Sequence, residues 1–108
     1  MASNDTLFKV EFTEKCMEEI IEIYEYISKK LKEDVAAKNL IQNILKRILD
    51  LRFFPAIYTK IGKVDDLKRE YHKMVVKNYI ILYTIDFDKR KVFISHIIYH
   101  RRNYLEKI

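Results

Sequence analysis

A histidine followed by two arginines closes the last strongly patterned segment of the chain. His100, Arg101 and Arg102 come directly after a β-type run that ends at Tyr99. A histidine exchanges a proton near neutral pH, and guanidinium groups bind phosphate oxygens in pairs and stabilise negative charge in a transition state. The combination predicts phosphodiester chemistry. A basic, solvent-exposed end of the domain would carry the same residues, so both interpretations stay open here.

Two lysines earlier in the chain form a second group of phosphate-binding candidates. Lys73 and Lys77 are four residues apart in a segment with a β pattern, so in a straight strand their side chains point to the same face. Tyr71 shares this parity and is a candidate for stacking on a base. Tyr99 and Tyr104 are candidates for stacking or for assisting proton transfer. The alternative is an edge strand whose lysines prevent aggregation.

Several other kinds of site are disfavoured by composition. The single glycine, Gly62, leaves no glycine-rich phosphate loop, and the single cysteine, Cys16, leaves no disulfide framework and is interpreted as a core residue. His, Cys, Asp and Glu do not occur at metal-ligand spacing, so we expect no metal and no cofactor. The remaining histidines, His72 and His96, are interpreted as a solvated strand end and a satisfied sheet residue.

Hydrophobic periodicity predicts the elements that position these groups. Phe8, Val10 and Phe12 alternate with polar residues as in a short strand. Two stripes at spacings of three and four then predict two antiparallel helices, with Thr13 and Asp34 as N-caps and Pro55 ending the second. The first stripe comprises Met17, Ile20, Tyr24, Ile27 and Leu31, and the second comprises Ala37, Ile41, Ile44, Ile48 and Leu51.

The second half of the chain has β patterns. Residues 71–77, 79–85 and 92–98 are predicted strands, whereas residues 56–67 are predicted to be a connection with little regular structure. The order β-α-α-β-β-β predicts an α+β fold, in which an N-terminal helical hairpin packs on one face of an antiparallel four-stranded sheet. We expect one domain over residues 1–108, with residues 1–6 flexible.

Charge and length narrow the class of protein. Residues 60–108 carry 12 Lys and Arg against 6 Asp and Glu, a net charge of +6, whereas residues 1–59 carry 9 against 10. A basic half predicts a surface that meets phosphate or an acidic protein, although a solvated basic face is the alternative. No apolar run approaches the roughly 20 residues of a membrane helix, and the start of the chain has no secretory pattern. We therefore expect a cytoplasmic protein without a membrane partner.

Four segments in this order resemble the RelE/ParE family of toxins from bacterial type II toxin–antitoxin modules. They are residues 36–41 of the second predicted helix, residues 76–86, residues 92–94 and residues 99–102. The resemblance runs from about Phe8 to Tyr104. It implies two activities on one fold, since RelE-like members cut mRNA in the ribosomal A site without a metal ion, while ParE-like members bind and stall DNA gyrase.

Carried over residue by residue, the resemblance assigns roles to the candidates above. His100 would be the general acid or base, Arg101 and Arg102 would bind phosphate and stabilise the transition state, and Lys73 and Lys77 would hold the RNA backbone. The leading prediction is a ribosome-dependent mRNA endoribonuclease that inhibits translation. The chain departs from many ribonuclease members at one place, because an isoleucine, Ile80, follows the tyrosine that opens the central strand, where they carry an arginine.

This departure keeps two other predictions open, and the family also implies partners. One alternative is a gyrase inhibitor without catalytic residues, and the other is a relic that only binds its antitoxin. A cognate antitoxin is expected to fold onto the basic part after Lys60 and onto the apolar helix surfaces, and to shield Arg101. The target would be mRNA on the ribosome, or gyrase in the alternative, and operator DNA would be met only through the antitoxin.

Overall fold

The computed structural model describes residues 7–63 and 70–100. These residues form two helices and a five-stranded sheet. The strands are β1 (Lys9–Phe12), β2 (Thr59–Lys63), β3 (Glu70–Val76), β4 (Tyr79–Asp86) and β5 (Lys91–Tyr99). The helices are α1 (Glu14–Glu25), which continues as a π-helical turn over Tyr26–Lys30, and α2 (Asp34–Leu49), which continues as a 3-10 turn over Asp50–Arg52.

The sheet confirms the α+β class and corrects its details. Its strand order is β1-β5-β4-β3-β2, with β1 parallel to β5 and all other neighbours antiparallel. The prediction of four wholly antiparallel strands is therefore wrong in number and in one pairing. The added strand, β2, lies in the stretch predicted to be irregular. Its residues do not alternate cleanly, and its pairing with β3 shifts register between Lys60 and Gly62.

The predicted N-cap of α1 is confirmed. The Oγ1 atom of Thr13 accepts a hydrogen bond from the backbone N–H of Cys16 at 3.1 Å, and the same hydroxyl lies 3.2 Å from the carbonyl oxygen of Ser95, to which it donates. The cap satisfies one of the free N–H groups at the start of the helix. It also joins this end of α1 to β5.

The predicted apolar stripe of α1 is not the face of the helix that packs on the sheet. Met17, Tyr24 and Leu31 are exposed, while Cys16 and Glu19 are buried against the sheet. The helix has apolar residues on two neighbouring faces, and periodicity alone does not tell which face the sheet covers. Four of the five residues in the predicted stripe of the second helix are buried, and the last of them lies in the 3-10 turn. They are Ala37, Ile44, Ile48 and Leu51. The fifth, Ile41, is half-buried.

The two ends of α2 differ slightly from the prediction. Asp34 is the first helical residue, since the N-cap position belongs to Glu33, which makes no side-chain cap. The carboxylate of Asp34 instead accepts a hydrogen bond from the hydroxyl of Ser28, across the hairpin connection. The helix ends before Pro55, whose carbonyl oxygen accepts a hydrogen bond from the buried hydroxyl of Tyr83 at 2.7 Å.

The sheet is apolar on both faces. On the helix side, a large core joins α1 and α2 to β3, β4 and β5 through residues such as Met74, Ile81 and Ile97. Since neighbouring residues of a strand face opposite sides, the residues next to these belong to the other face. There a second buried cluster forms, comprising Tyr71, Ile80, Leu82 and Ile98.

Candidate functional site

One end of the sheet brings three of the predicted site residues together. The backbone N–H of His100 donates to the carbonyl oxygen of Asn78 at 2.7 Å, so the residue after β5 is held against the β3–β4 turn. In the register of the sheet, Tyr79 is opposite Tyr99, and the centres of their rings are 5.6 Å apart. Lys77, Tyr99 and His100 are all exposed at this end. We call these three residues the sheet-end cluster.

The turn that carries Lys77 has an unusual backbone conformation. Lys77 has a φ angle of 55°, in the left-handed region that disfavours residues with a Cβ atom by roughly 1–2 kcal/mol. The conformation lets β3 reverse into β4 within a two-residue turn, which places Asn78 beneath His100. Strained backbone of this kind is common at functional sites. Lys32 has the same φ angle of 55° at the connection between the helices.

The two candidates on β3 are placed differently. Lys73 lies in the middle of the strand, opposite Leu82 of β4, with its side chain partly exposed. Tyr71 is 5% exposed and packs in the cluster opposite the helices, so its ring offers little surface for stacking on a base. Although Tyr71, Lys73 and Lys77 are spaced to lie on one face of the strand, they therefore do not form one continuous exposed surface for RNA.

Ile80 belongs to the same buried cluster as Tyr71. It is 2% exposed and is opposite Ile98 of β5. The resemblance to the ribonuclease members would predict an arginine at this position. A buried isoleucine instead extends the apolar surface of the sheet and supplies no charge for a phosphate group.

The other predicted site residues follow the described part of β5 along the chain. Arg101, Arg102 and Tyr104 lie outside the described residues, as do residues 1–6, and their roles stay predictions. The part of the chain that the structure does describe ends at His100.

The two remaining histidines are both held inside the fold. His72 was predicted to be a solvated strand end, and this is wrong: its ring is mostly buried, stacks on Tyr83 at 5.2 Å, and has its Nδ1 atom 3.2 Å from the carbonyl oxygen of Tyr58. The missed strand β2 explains the difference, because it pairs Lys60 with His72 and covers this edge of β3. His96 contacts Glu19, which confirms its interpretation as a satisfied sheet residue.

Burial removes two other groups from consideration as catalysts. Desolvation, with a smaller contribution from the nearby carboxylate of Glu19, raises the pKa of the Cys16 thiol to about 12. Burial also raises the pKa of the Tyr83 hydroxyl above its usual value. Neither group is ionised near neutral pH, and both are fully covered in the core. This supports the interpretation of Cys16 as a core residue.

The sequence did not predict a groove that adjoins the sheet-end cluster. It has a volume of about 1000 Å³ and lies between the helical hairpin and the β3–β4 turn. Leu31, a member of the predicted α1 stripe, is exposed and lines this groove. The walls combine apolar side chains with charged ones, among them Ile23, Ile27, Leu31, Leu40, Glu22 and Lys77.

The described part of the chain contains neither a cluster of metal-ligating side chains nor a membrane-spanning helix. Within residues 7–63 and 70–100, no three His, Cys, Asp or Glu side chains lie close enough to hold a metal ion. In the same ranges, neither helix has the length and apolar composition needed to cross a membrane.

Solved structures with the same fold come from toxin–antitoxin systems. The chromosomal ParDE system of P. aeruginosa superposes with a TM-score of 0.68 at 12% sequence identity, covering 87% of this chain and 97% of that one. The archaeal RelE–RelB complex of Pyrococcus horikoshii gives 0.65 at 11% identity, with coverages of 89% and 98%. The RelBE2 complex of Mycobacterium tuberculosis gives 0.63 at 15% identity, with coverages of 86% and 98%. At these identities the likeness shows the fold alone.

A family model identifies the chain more specifically than the fold does. Comparison with curated protein sequences gives no significant match. The model for the ParE toxin of the type II toxin–antitoxin system parDE, however, matches residues 10–104, which is nearly the whole chain. The structural neighbours include both ParDE and RelBE proteins, in agreement with this match. The chain therefore belongs to the RelE/ParE family of toxins from type II toxin–antitoxin systems.

Proposed function

We propose that this toxin arrests growth by cleaving mRNA on the ribosome in the cytoplasm, and that RNA binds at the sheet-end cluster. The observation that supports this proposal is the position of His100 against the Lys77–Asn78 turn, where its backbone N–H donates to Asn78 at 2.7 Å. A proton-transfer group and an ammonium group are thereby exposed at the same end of the sheet. They are the group types needed to move a proton and to bind a phosphate during cleavage of RNA.

In the proposed reaction the RNA supplies its own nucleophile. The ribose 2′-hydroxyl loses its proton and its oxygen attacks the adjacent phosphorus, the bond from phosphorus to the 5′-oxygen breaks, and that oxygen takes up a proton. The products are a 2′,3′-cyclic phosphate and a 5′-hydroxyl. His100 acts as the general acid or base, Lys77 and Lys73 bind the RNA backbone, and Tyr99 stacks on a base. Arg101 and Arg102 stabilise the charge of the transition state.

We also propose that a cognate antitoxin neutralises this chain. The structural neighbours from Pyrococcus horikoshii and Mycobacterium tuberculosis are complexes of a toxin with its antitoxin. The net charge of +6 over residues 60–108 favours an acidic segment as the inhibitor of this region. The antitoxin would cover Arg101, and any contact of this chain with operator DNA would run through it.

The second candidate function is inhibition of DNA gyrase, and the burial of Ile80 favours it. A ribonuclease that follows the pattern of many relatives would have a guanidinium group at this position, whereas Ile80 contributes only apolar surface to a buried cluster. A gyrase inhibitor needs a binding surface and no catalytic groups, so it would tolerate this residue. In that case Lys77 and His100 would be contact residues.

Induced expression in a bacterial host tests both candidates in one experiment. RNA ends are mapped minutes after induction, and gyrase activity is followed through the supercoiling of a reporter plasmid. New cuts at in-frame codon positions with normal supercoiling would support the ribonuclease. Intact mRNA with relaxed plasmid and a DNA-damage response would move the assignment to gyrase. Normal growth would contradict both and leave a protein that only binds its antitoxin.

A further inference from the structure

Side chains of α1 and its N-cap close the edge of β5 where β1 ends. The backbone N–H of Thr13 donates to the carbonyl oxygen of Ile94 at 3.1 Å, and β1 pairs no further along this edge. The hydroxyl of Thr13 then donates to the carbonyl oxygen of Ser95 at 3.2 Å. Two residues later, the Oε1 atom of Glu19 accepts a hydrogen bond from the N–H of Ile97 at 3.2 Å. The helix thus supplies hydrogen bonds that a strand would otherwise make.

Strand β5 is irregular at the same place. Tyr83 of β4 is opposite Ile94 and Leu82 is opposite His96, so Ser95 is an extra residue that β4 does not pair. A β-bulge of this kind bends the strand and changes the direction of the residues that follow it, and bulges are frequent beside functional sites. The course of β5 after the bulge therefore depends on the contacts that hold it there.

Glu19 is an unusual residue for a position inside the fold. Its carboxylate is charged when ionised, yet the residue is only 7% exposed, and the Nδ1 atom of His96 lies 3.2 Å from the oxygen that Ile97 contacts. A buried carboxylate loses its hydration and needs hydrogen-bond partners in return. An apolar side chain would pack here at lower cost but would leave the N–H of Ile97 without an acceptor. The acceptor oxygen is therefore the feature that this position requires.

The contact at Ile97 lies three residues before His100. Successive residues of a strand in an antiparallel pair direct their backbone groups to alternate sides. The N–H of Ile97 accordingly points to the edge that Glu19 closes, while the N–H of His100 points to the β3–β4 turn, where it donates to Asn78 at 2.7 Å. Glu19 thus holds this short segment from one side and the turn holds it from the other.

We propose that Glu19 is a positioning residue for His100. Its carboxylate oxygen holds the segment after the bulge, so that His100 stays against the turn that carries Lys77. Glu19 is buried and makes no contact with RNA, and its hydrogen bond to Ile97 rather than its charge is what positions the strand. The effect on cleavage rests on the proposed ribonuclease function, whereas the effect on the position of His100 does not.

Two substitutions separate the hydrogen bond from the charge. Glu19→Gln keeps an acceptor oxygen and removes the charge, whereas Glu19→Asp keeps the charge and withdraws it by one methylene group. For mRNA cleavage on ribosomes, we expect kcat to fall at least about tenfold in Glu19→Asp with KM unchanged, because a small misplacement of a reacting group costs rate. Glu19→Gln should stay within about threefold of the wild type. Undiminished kcat in Glu19→Asp, or an equal fall in both variants, would overturn the proposal.

A control variant separates positioning from loss of stability. Tyr83→Phe removes a buried hydrogen bond elsewhere in the core, the one to the carbonyl oxygen of Pro55. All variants are assayed at a temperature at which circular dichroism shows them to be fully folded. Tyr83→Phe should then keep the kcat of the wild type. A fall in kcat that follows the loss of stability in every variant would show that Glu19 acts on the fold alone.

A second measurement is independent of the reaction. Amide hydrogen exchange of the full chain, made by cell-free synthesis and followed by NMR, reports the bond from the N–H of His100 to Asn78. We expect this amide to exchange at least about tenfold faster in Glu19→Asp than in Glu19→Gln. If it does while the wild-type chain leaves mRNA intact, the ribonuclease proposal fails and the role of Glu19 stands. Equal exchange in the two variants would contradict that role.

Discussion

The Nδ1 atom of His96 lies 3.2 Å from the Oε1 atom of Glu19, and the same carboxylate oxygen accepts a hydrogen bond from the backbone N–H of Ile97 at 3.2 Å. Strand β1 pairs with β5 only as far as Ile94, so beyond that residue no strand of the described part of the chain lies along this edge of β5. A side chain of α1 therefore satisfies a backbone donor that a strand would otherwise bond. Glu19 thus fixes α1 on the strand that leads to the sheet-end cluster.

Removal of this carboxylate should destabilise the fold. Glu19→Ala leaves the N–H of Ile97 unsatisfied in a buried position and should lower the free energy of unfolding by about 2–3 kcal/mol. The exposed neighbour Glu18 provides the control, since Glu18→Ala should change this free energy by less than about 0.5 kcal/mol. Urea denaturation followed by circular dichroism measures both. Equal effects of the two substitutions would show that the contacts of Glu19 do not matter to stability.

The hydroxyl of Tyr83 should contribute to stability through one hydrogen bond. It donates to the carbonyl oxygen of Pro55 at 2.7 Å inside the core. Tyr83→Phe keeps the ring and its stacking on His72 but leaves that carbonyl without its donor, so we expect a loss of about 1–2 kcal/mol in urea denaturation. Tyr26→Phe, at an exposed ring, is the control and should have no measurable effect. Full stability of Tyr83→Phe would contradict this account.

Stability should fall in alkaline solution, and Cys16 should account for part of the fall. The pKa of its thiol is raised from 9.0 to about 12 in the folded chain. Between these values the unfolded chain has released the proton while the folded chain retains it, so each rise in pH favours unfolding, by at most about 1.4 kcal/mol per pH unit. Below pH 9 this contribution is constant. The buried thiol should also resist alkylating reagents in the native protein.

Cys16→Ala tests this pH dependence. The substitution removes the thiol titration, so the loss of unfolding free energy between about pH 8 and about pH 11 should be smaller in the variant than in the wild-type chain. Other groups, including Tyr83, titrate in both proteins and cancel in the comparison. The expected lower stability of the variant at neutral pH, which comes from the cavity, does not affect the slope. Parallel curves for the two proteins would disprove the role of Cys16.

The left-handed backbone at Lys77 allows stability and toxicity to be separated. Lys77→Gly should raise the free energy of unfolding by up to about 1 kcal/mol, because glycine adopts a φ angle of 55° without a Cβ clash, while toxicity should decrease since an ammonium group is lost from the sheet-end cluster. Lys32→Gly has the same φ angle and is the matched control. It should be stabilised similarly and remain fully toxic. Equal toxicity of the two variants would argue against Lys77 as a binding residue.

The sequence predicted the elements of the fold better than their arrangement. Local rules were sufficient for the Thr13 cap, for the buried residues of α2 and for the three strands of the second half, because these depend on spacing within one segment. The parallel pairing of β1 with β5 depends on residues more than 80 positions apart in the sequence, as in Lys9 opposite Lys91, and no local pattern records it. Strand β2 was missed because its irregular register hides the alternation.

The candidate site was predictable only in part for a similar reason. The sequence pointed to His100 and Lys77 as candidates, but their closeness follows from the β3–β4 turn meeting the end of β5, which only the sheet register shows. Tyr71 lies on the same side of β3 as the two lysines by its place in the sequence. That alternation does not show that Ile80, Leu82 and Ile98 of the neighbouring strands bury its ring. Met17, Tyr24 and Leu31 fit the spacing of the predicted α1 stripe but are exposed, because helical spacing does not show which face the sheet covers.

Cleavage of a defined mRNA on purified ribosomes tests the central proposal most directly. The wild-type chain, His100→Ala and the control Lys89→Ala are added to ribosomes stalled with an open A site, and the RNA ends are mapped. The account predicts cleavage within the A-site codon by the wild type and the control, and a loss of at least about a hundredfold in rate for His100→Ala. Intact mRNA with the wild-type chain, or undiminished cleavage by His100→Ala, would contradict it.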